Sequence, residues 1–188
     1  MPITARTLRE QGQRHKVFVS YYHHDDQKYR NAFEKAFKDA FIIKSVQPGD
    51  IDPGNSDDYI KKLIQAGYIS DASVVVVLVG PKTKCRKHVD WEISAGLNKK
   101  VGGYSGLMGI LLPEFPLSQN NTYQAADLPT RLHRNLASDY ASLYRWDTVT
   151  ASLGSLASAI DTAFDRRLST SDKIVNAVLP QMQRNTCD

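Results

Sequence analysis

Residues 72–80, ASVVVVLVG, are the most apolar run of the chain, and their reading decides the fold. Five valines and a leucine follow one another without polar alternation, the pattern of a central parallel strand covered on both faces. Gly80-Pro81 ends the run. A strand hidden on both sides requires helices above and below its sheet, so the flanking sequence should alternate strands with helices.

It does. Upstream, KVFVSYY (16–22) is β-branched and aromatic and too short for a helix, which makes it a buried first strand. Asp25 or Asp26 is expected to cap the next segment, where Tyr29, Phe33, Phe37 and Phe41 recur every four residues beside Ala32, Ala36 and Ala40. Ile42 to Val46 reads as a short second strand, and QPGDIDPGNS (47–56), with two Pro-Gly pairs, as a loop. Ser56 caps a helix that carries Asp57 and Asp58 in its first turn and Ile60, Leu63 and Ile64 on its apolar face, with Gly67 near its end.

Downstream, residues 86–99 form a helix with Val89, Ile93 and Leu97 on one stripe, and GLMGILLP (106–113) is another apolar strand. Residues 114–135 contain two prolines, Pro116 and Pro129, and no clear period, which predicts a long excursion with at most one helical turn. ASLYRWD (141–147) is a fifth, more exposed strand. Leu153, Leu156, Ile160 and Phe164 mark one terminal helix, and Ile174, Val175, Val178 and Leu179 a second, closed by Pro180. Right-handed crossovers then predict a doubly wound α/β fold: a mainly parallel, flavodoxin-like five-stranded sheet in the order 2-1-3-4-5, helices on both faces and extra C-terminal helices. The expected organisation is a flexible basic leader over 1–15, the α/β domain over 16–147, and a helical extension over 148–188 packed on the same domain.

Bulk properties narrow the function. The 188 residues, 41% hydrophobic and 23% charged, suit an ordinary globular protein, and no run approaches the roughly 18 to 20 apolar residues of a membrane helix. Without a secretory signal at the N-terminus, a cytoplasmic location is expected. Arg6, Arg9, Arg14 and Lys16 against Glu10 take +3 of the +4 net charge, leaving about +1 for the rest, so nucleic-acid binding is not expected. Cys85 and Cys187 lie far apart, which indicates neither a disulfide framework nor a metal site. His23 and His24 leave a strand in different directions, and the other histidines are scattered, so no metal is expected.

Familiar nucleotide motifs are missing. Neither G-x-x-x-x-G-K-[ST] nor G-x-G-x-x-G occurs, and the first turn, SYYHHDD, has no glycine. A triad of Ser20, His24 and Asp26 lacks its G-x-S-x-G elbow. The remaining candidate is Glu92 in KCRKHVDWEISAGL (85–98), near the carboxyl ends of the strands where such sheets bind ligands. His88 lies one helical turn before it, and the small Ala95 and Gly96, about one turn after, are expected to leave open space. A carboxylate in a partly aromatic cleft suits glycosidic cleavage through an oxocarbenium-like transition state, although composition alone also fits an exposed helical glutamate.

VFVSYYHHDD, the Pro-Gly loop, SVVVVLVG and RKHVDWEI, taken together, resemble the Toll/interleukin-1 receptor (TIR) domain, and within it the TIR-like branch of the Thoeris antiphage protein ThsB. The resemblance covers about residues 16–147. It implies that Glu92 is catalytic in NAD+ cleavage, with NAD+ as substrate and no cofactor, releasing nicotinamide. The implied product is a cyclic ADP-ribose-type signal that activates a partner effector, itself an NAD+-consuming enzyme. It further implies self-association, a nucleotide cleft lined by Ser20, Tyr21, Tyr22 and His23, and a mobile flap carrying Asp50 and Asp52. His88 joins the expected substrate-binding set and stands where many TIR domains have tryptophan. Trp91 points about 100° away from the shared face of 88 and 92 and is no simple substitute. Two alternatives stay open: a non-catalytic TIR-like adaptor, and a nucleoside deoxyribosyltransferase-like enzyme that also uses a glutamate at a ribosyl centre.

Overall fold

The computed structural model describes residues 14–187. Apart from Arg14 and His15, the expected basic leader lies outside them. Strands β1 (Lys16–Ser20), β2 (Ile42–Lys44), β3 (Val74–Val79), β4 (Gly106–Leu111) and β5 (Ser142–Arg145) form one sheet in the order β2-β1-β3-β4-β5. All pairings are parallel, with Val17 opposite Val74, Val74 opposite Gly106 and Met108 opposite Ser142. The order is the expected one.

The valine run shows why both faces must be covered. Val75, Val77 and Val79 enter one core layer, with Ile60 and Ile64 of helix α2 (Asp57–Leu63, extended by a π-helical turn over Ile64–Tyr68) and Val89 and Ile93 of α3 (Lys87–Gly96). Val74, Val76 and Leu78 enter the other, with Phe33 and Phe37 of α1 (His23–Phe37) and Leu156, Ile160 and Phe164 of α6 (Leu153–Ser169). Successive side chains of a strand point to opposite faces, so an unbroken apolar run feeds two layers at once. Gly106 lets α6 press on the sheet, since a Cβ there would lie 2.1 Å from the Ala163 carbonyl oxygen.

Four local expectations differ. Helix α1 starts at His23 with Tyr22 as its N-cap and no side-chain cap, so Asp25 and Asp26 sit inside its first turn. The excursion after β4 contains a full helix, α4 (Thr130–Ala137), whose buried side chains include Arg131 and Asn135, so its inner face does not read as apolar. A short helix, α5 (Trp146–Val149), follows β5.

The second C-terminal helix does not form. After a 3₁₀ turn over Ser171–Lys173 the backbone is captured by α4: Val175 N donates to Asn135 Oδ1 at 2.9 Å, Asn135 Nδ2 donates to Val175 O at 2.8 Å, and Arg131 Nη1 donates to Asn176 O at 3.0 Å. These bonds hold the segment non-helical. No helix among the described residues is long and apolar enough to cross a membrane.

Candidate active site

Strand β1 ends at Ser20 and β3 at Val79, and α3 starts beside both ends, which carries Glu92 to the rim of the sheet. Val89, Ile93 and Leu97 anchor the helix inward. Gly96 is where it touches β3, because a Cβ there would lie 2.6 Å from Val75 Cγ2; the open space expected at Ala95 and Gly96 is therefore filled by packing.

Glu92 is only 4% exposed. Ser20 Oγ, also buried, donates to its Oε2 at 2.5 Å, and this is the carboxyl group's one hydrogen bond among the described residues. Burial pushes the carboxyl from its ordinary 4.5 up to about 8, and the Ser20 bond pulls the other way. At neutral pH the acid is mostly protonated.

Glu92 lines a cavity of roughly 200 Å³ together with Tyr21, Tyr22 and His23 after β1, Val46, Gln47, Gly49 and Ile51 of the Pro-Gly loop, Arg86, His88 and Val89 at the start of α3, and Asn185. Burial lowers the pKa of both His23 and His88, so these imidazoles are neutral at pH 7. Tyr21 hydrogen-bonds Gln27 through its hydroxyl at 2.8 Å, and burial pushes its pKa up to about 12. The Arg86 guanidinium lies over the Tyr22 ring, 3.8 Å from its centroid. Neutral polar groups thus surround a buried acid, with one cation at the side.

The expected site residues separate into three sets. Tyr21, Tyr22, His23, His88 and Glu92 converge on the cavity. Ser20 is fully buried and reaches it through Glu92. Asp50 and Asp52 are not among its lining residues: Asp50 Oδ2 accepts from Gln47 N and Asp52 Oδ1 from Gly54 N, both at 2.8 Å. Their carboxylates close the loop's own turns, so the loop meets the cavity through neighbouring residues. Trp91 lies on the opposite flank, where its indole N–H donates to Met182 O at 2.9 Å.

Sequence reasoning missed Arg86, Gln47 and the C-terminal strap. Residues 179–187 run beside α3, anchored by Arg131 on Pro180 O (3.1 Å), Asp90 Oδ2 on Met182 N (2.9 Å) and Cys85 O on Thr186 N (3.0 Å). Arg86, the N-cap of α3, makes no side-chain cap bond, and Asn185 Oδ1 accepts from Lys87 N at 3.0 Å in its place. Cys187 pairs with Cys85 across a sequence separation of 102, Cα to Cα 5.4 Å. This corrects the expectation of unlinked cysteines: sequence distance says nothing once the strap returns to α3. No signal in the strap's own sequence announces that path.

Among the described residues no cluster of three or more His, Cys, Asp or Glu side chains could hold a metal ion.

The family described as "Thoeris protein ThsB, TIR-like domain" matches residues 18–115, which run from β1 past β4 and contain both Ser20 and Glu92. No curated protein matches the chain. Among solved structures, the TIR domains of the activated Roq1 resistosome directly recognizing the pathogen effector XopQ are similar at 15% identity and a TM-score of 0.39, over 80% of this chain and 84% of that one. A likeness that low adds nothing to the topology read from the strand register. Because the family match spans more than half of its length, the chain belongs to the ThsB TIR-like domain family.

Proposed function

We propose that this TIR-like domain cleaves NAD+ at the nicotinamide–ribose bond in Thoeris-type antiphage defence and makes a cyclic ADP-ribose-type signal for a partner effector that itself consumes NAD+. The observation that carries the proposal is Glu92: a buried carboxyl with one hydrogen-bond partner, at the wall of a cavity formed by strand ends.

The chemistry follows from charge. When the C–N bond breaks, its electron pair returns to the nicotinamide nitrogen and neutralises the ring, leaving positive charge on the ribose. A carboxylate beside that carbon stabilises the oxocarbenium-like transition state and holds a ribose hydroxyl. Capture of the cation by an adenine nitrogen closes the cyclic product; capture by water, with loss of a proton, gives ADP-ribose. Glu92 must be ionised for this, and the cationic nicotinamide ring favours the ionised form on entry. Hence kcat/KM should rise with pH through about 8, and the kcat limb should lie at lower pH.

The test follows nicotinamide release and product mass with the full chain, alone and with extract of phage-infected cells. Glu92→Gln should lower turnover by about 10²- to 10⁴-fold. Equal turnover by that variant would remove Glu92 from the mechanism, and equal protection of cells by it would favour the non-catalytic adaptor. We place the protein in the cytoplasm, where the Cys85–Cys187 bond is open to reduction by cellular dithiols.

A further inference from the structure

Arg86 is the one half-buried arginine among the described residues for which no side-chain hydrogen bond or ion pair is formed. Arg30 bonds Ser45 and Glu34, Arg131 bonds Asp90 and backbone carbonyls, Arg166 bonds Ala141 O and Ser142, and even Arg167 reaches Gly102 O. The Arg86 guanidinium instead lies over the Tyr22 ring, and its Nε is shielded from solvent without a partner. Arg167 Nε is shielded and unpaired as well, but its Nη1 is engaged; Arg86 is the half-buried arginine among the described residues with no donor engaged, and it lines a cavity, which points to a ligand.

The charge pattern of the cavity identifies the ligand's end. Glu92, His23 and His88 are mainly neutral at pH 7, and Gln47 and Asn185 carry no charge, which leaves Arg86 as the cation of the lining. Arg86 is more exposed than Glu92 and also lines the neighbouring cavity, shared with Lys84, Asp90 and Arg131, so it stands where the two meet. A volume of roughly 200 Å³ is below the ~300–1,000 Å³ of pockets that enclose a drug-sized ligand, so with the ribosyl bond at Glu92 the rest of a dinucleotide extends beyond it. The next group along such a molecule is the diphosphate.

We propose that Arg86 binds the diphosphate of the dinucleotide whose ribosyl bond faces Glu92, held there by the Tyr22 ring and by the strap that ends at Cys187. This rests on the NAD+ reading above and adds the residue that selects a diphosphate-bearing substrate over a nicotinamide nucleoside. The planar fork of a guanidinium suits two phosphate oxygens, and stacking fixes its plane in advance. Cys85, the preceding residue, is tied to Cys187, so the strap restrains the backbone that carries Arg86.

The experiment is calorimetric titration of the full chain carrying Glu92→Gln, which slows turnover, with NAD+, ADP-ribose and nicotinamide riboside as three separate probes. Arg86→Met retains the aliphatic stem over Tyr22, Arg86→Lys retains the charge, and thermal melts check that both fold. Arg86→Met should weaken NAD+ and ADP-ribose by about 10- to 100-fold while nicotinamide riboside changes less than about 2-fold, and Arg86→Lys should fall between. Unchanged ADP-ribose affinity in Arg86→Met, in a protein that binds NAD+, overturns the diphosphate role and leaves the NAD+ reading intact. Equal losses for all three probes also overturn it, since Arg86 would then only shape the cavity. A parent protein that binds neither NAD+ nor ADP-ribose sinks both.

Discussion

Asp90 and Glu92 stand two residues apart on α3, both buried, at 7% and 4% exposure, in opposite surroundings. Asp90 faces the strap flank, where Arg131 reaches both of its oxygens (2.9 and 3.3 Å) and Met182 N adds a third bond. Glu92 faces the strand ends with Ser20 alone. Paired with charge and satisfied by donors, Asp90 is a structural ion. Glu92, without a counter-charge and open to a cavity, is left with unused acceptor capacity. Burial is common to both; pairing and access separate them. Lys100 makes the same point at the other end of the sheet. Burial lowers its ammonium to about 8, yet it is engaged by Ser105 Oγ and the Ala72 carbonyl oxygen, and it serves a loop corner.

The comparison breaks most severely on the Asp90 flank. Asp90→Asn leaves Arg131, 1% exposed, without its counter-ion and should cost about 3–5 kcal/mol of unfolding free energy in urea. Removing both charges, Asp90→Asn with Arg131→Met, should recover part of that loss. A double variant as unstable as the single one would show that the strap contacts of Arg131, not the ion pair, hold this flank.

Opening the disulfide tests the strap itself. Cys187→Ser, or a reductant on the parent chain, should lower stability by about 2–4 kcal/mol, and mass spectrometry under non-reducing conditions should find the bond in the parent. Identical melts with and without reductant would mean that the hydrogen bonds suffice.

On the Glu92 flank the effect takes the form of a slope. Below pH 4.5 the carboxyl is protonated in both states. Between 4.5 and about 8 the unfolded chain ionises and the folded one does not, so wild-type stability falls as pH rises, by up to about 1.4 kcal/mol per pH unit; above 8 this slope vanishes. Glu92→Gln lacks the group and should gain on wild type through that window. Parallel urea midpoints from pH 5 to 8 would show that Glu92 is not held neutral.

Ser20→Ala gives the smallest change, about 1 kcal/mol of stability from one lost hydrogen bond. Because the Ser20 hydroxyl favours the carboxylate, its loss should move the rising limb of kcat/KM to higher pH. A limb that stays in place would assign Ser20 to packing alone.

Much of this was legible in residues 16–112. Unbroken apolar runs without alternation specify strands covered on both sides, and the 3.6-residue stripe of Val89, Ile93 and Leu97 placed Glu92 with His88 and turned Trp91 away. Those patterns are local, because the strand and helix periods act on neighbours in the chain. Helix α4 was missed because Arg131 and Asn135 face its core side, and polar residues mask an apolar stripe. The loop after β2 was placed at the cavity, but its aspartates were not, since an Asp in a turn can bond its own backbone as readily as a ligand.

By itself the sequence determined the sheet, its order and the helix that carries Glu92, because these follow from hydrophobic periodicity and the handedness of crossovers. Only the tertiary structure decided which buried acid is paired, that Asn185 caps α3 from the far end of the chain, that Cys85 meets Cys187, and that Arg86 faces the cavity without a partner. Each depends on contacts between residues about 40 to 100 positions apart, or on a missing contact. No local period encodes either, because they are settled by the free energy of burying polar groups together once the core has formed.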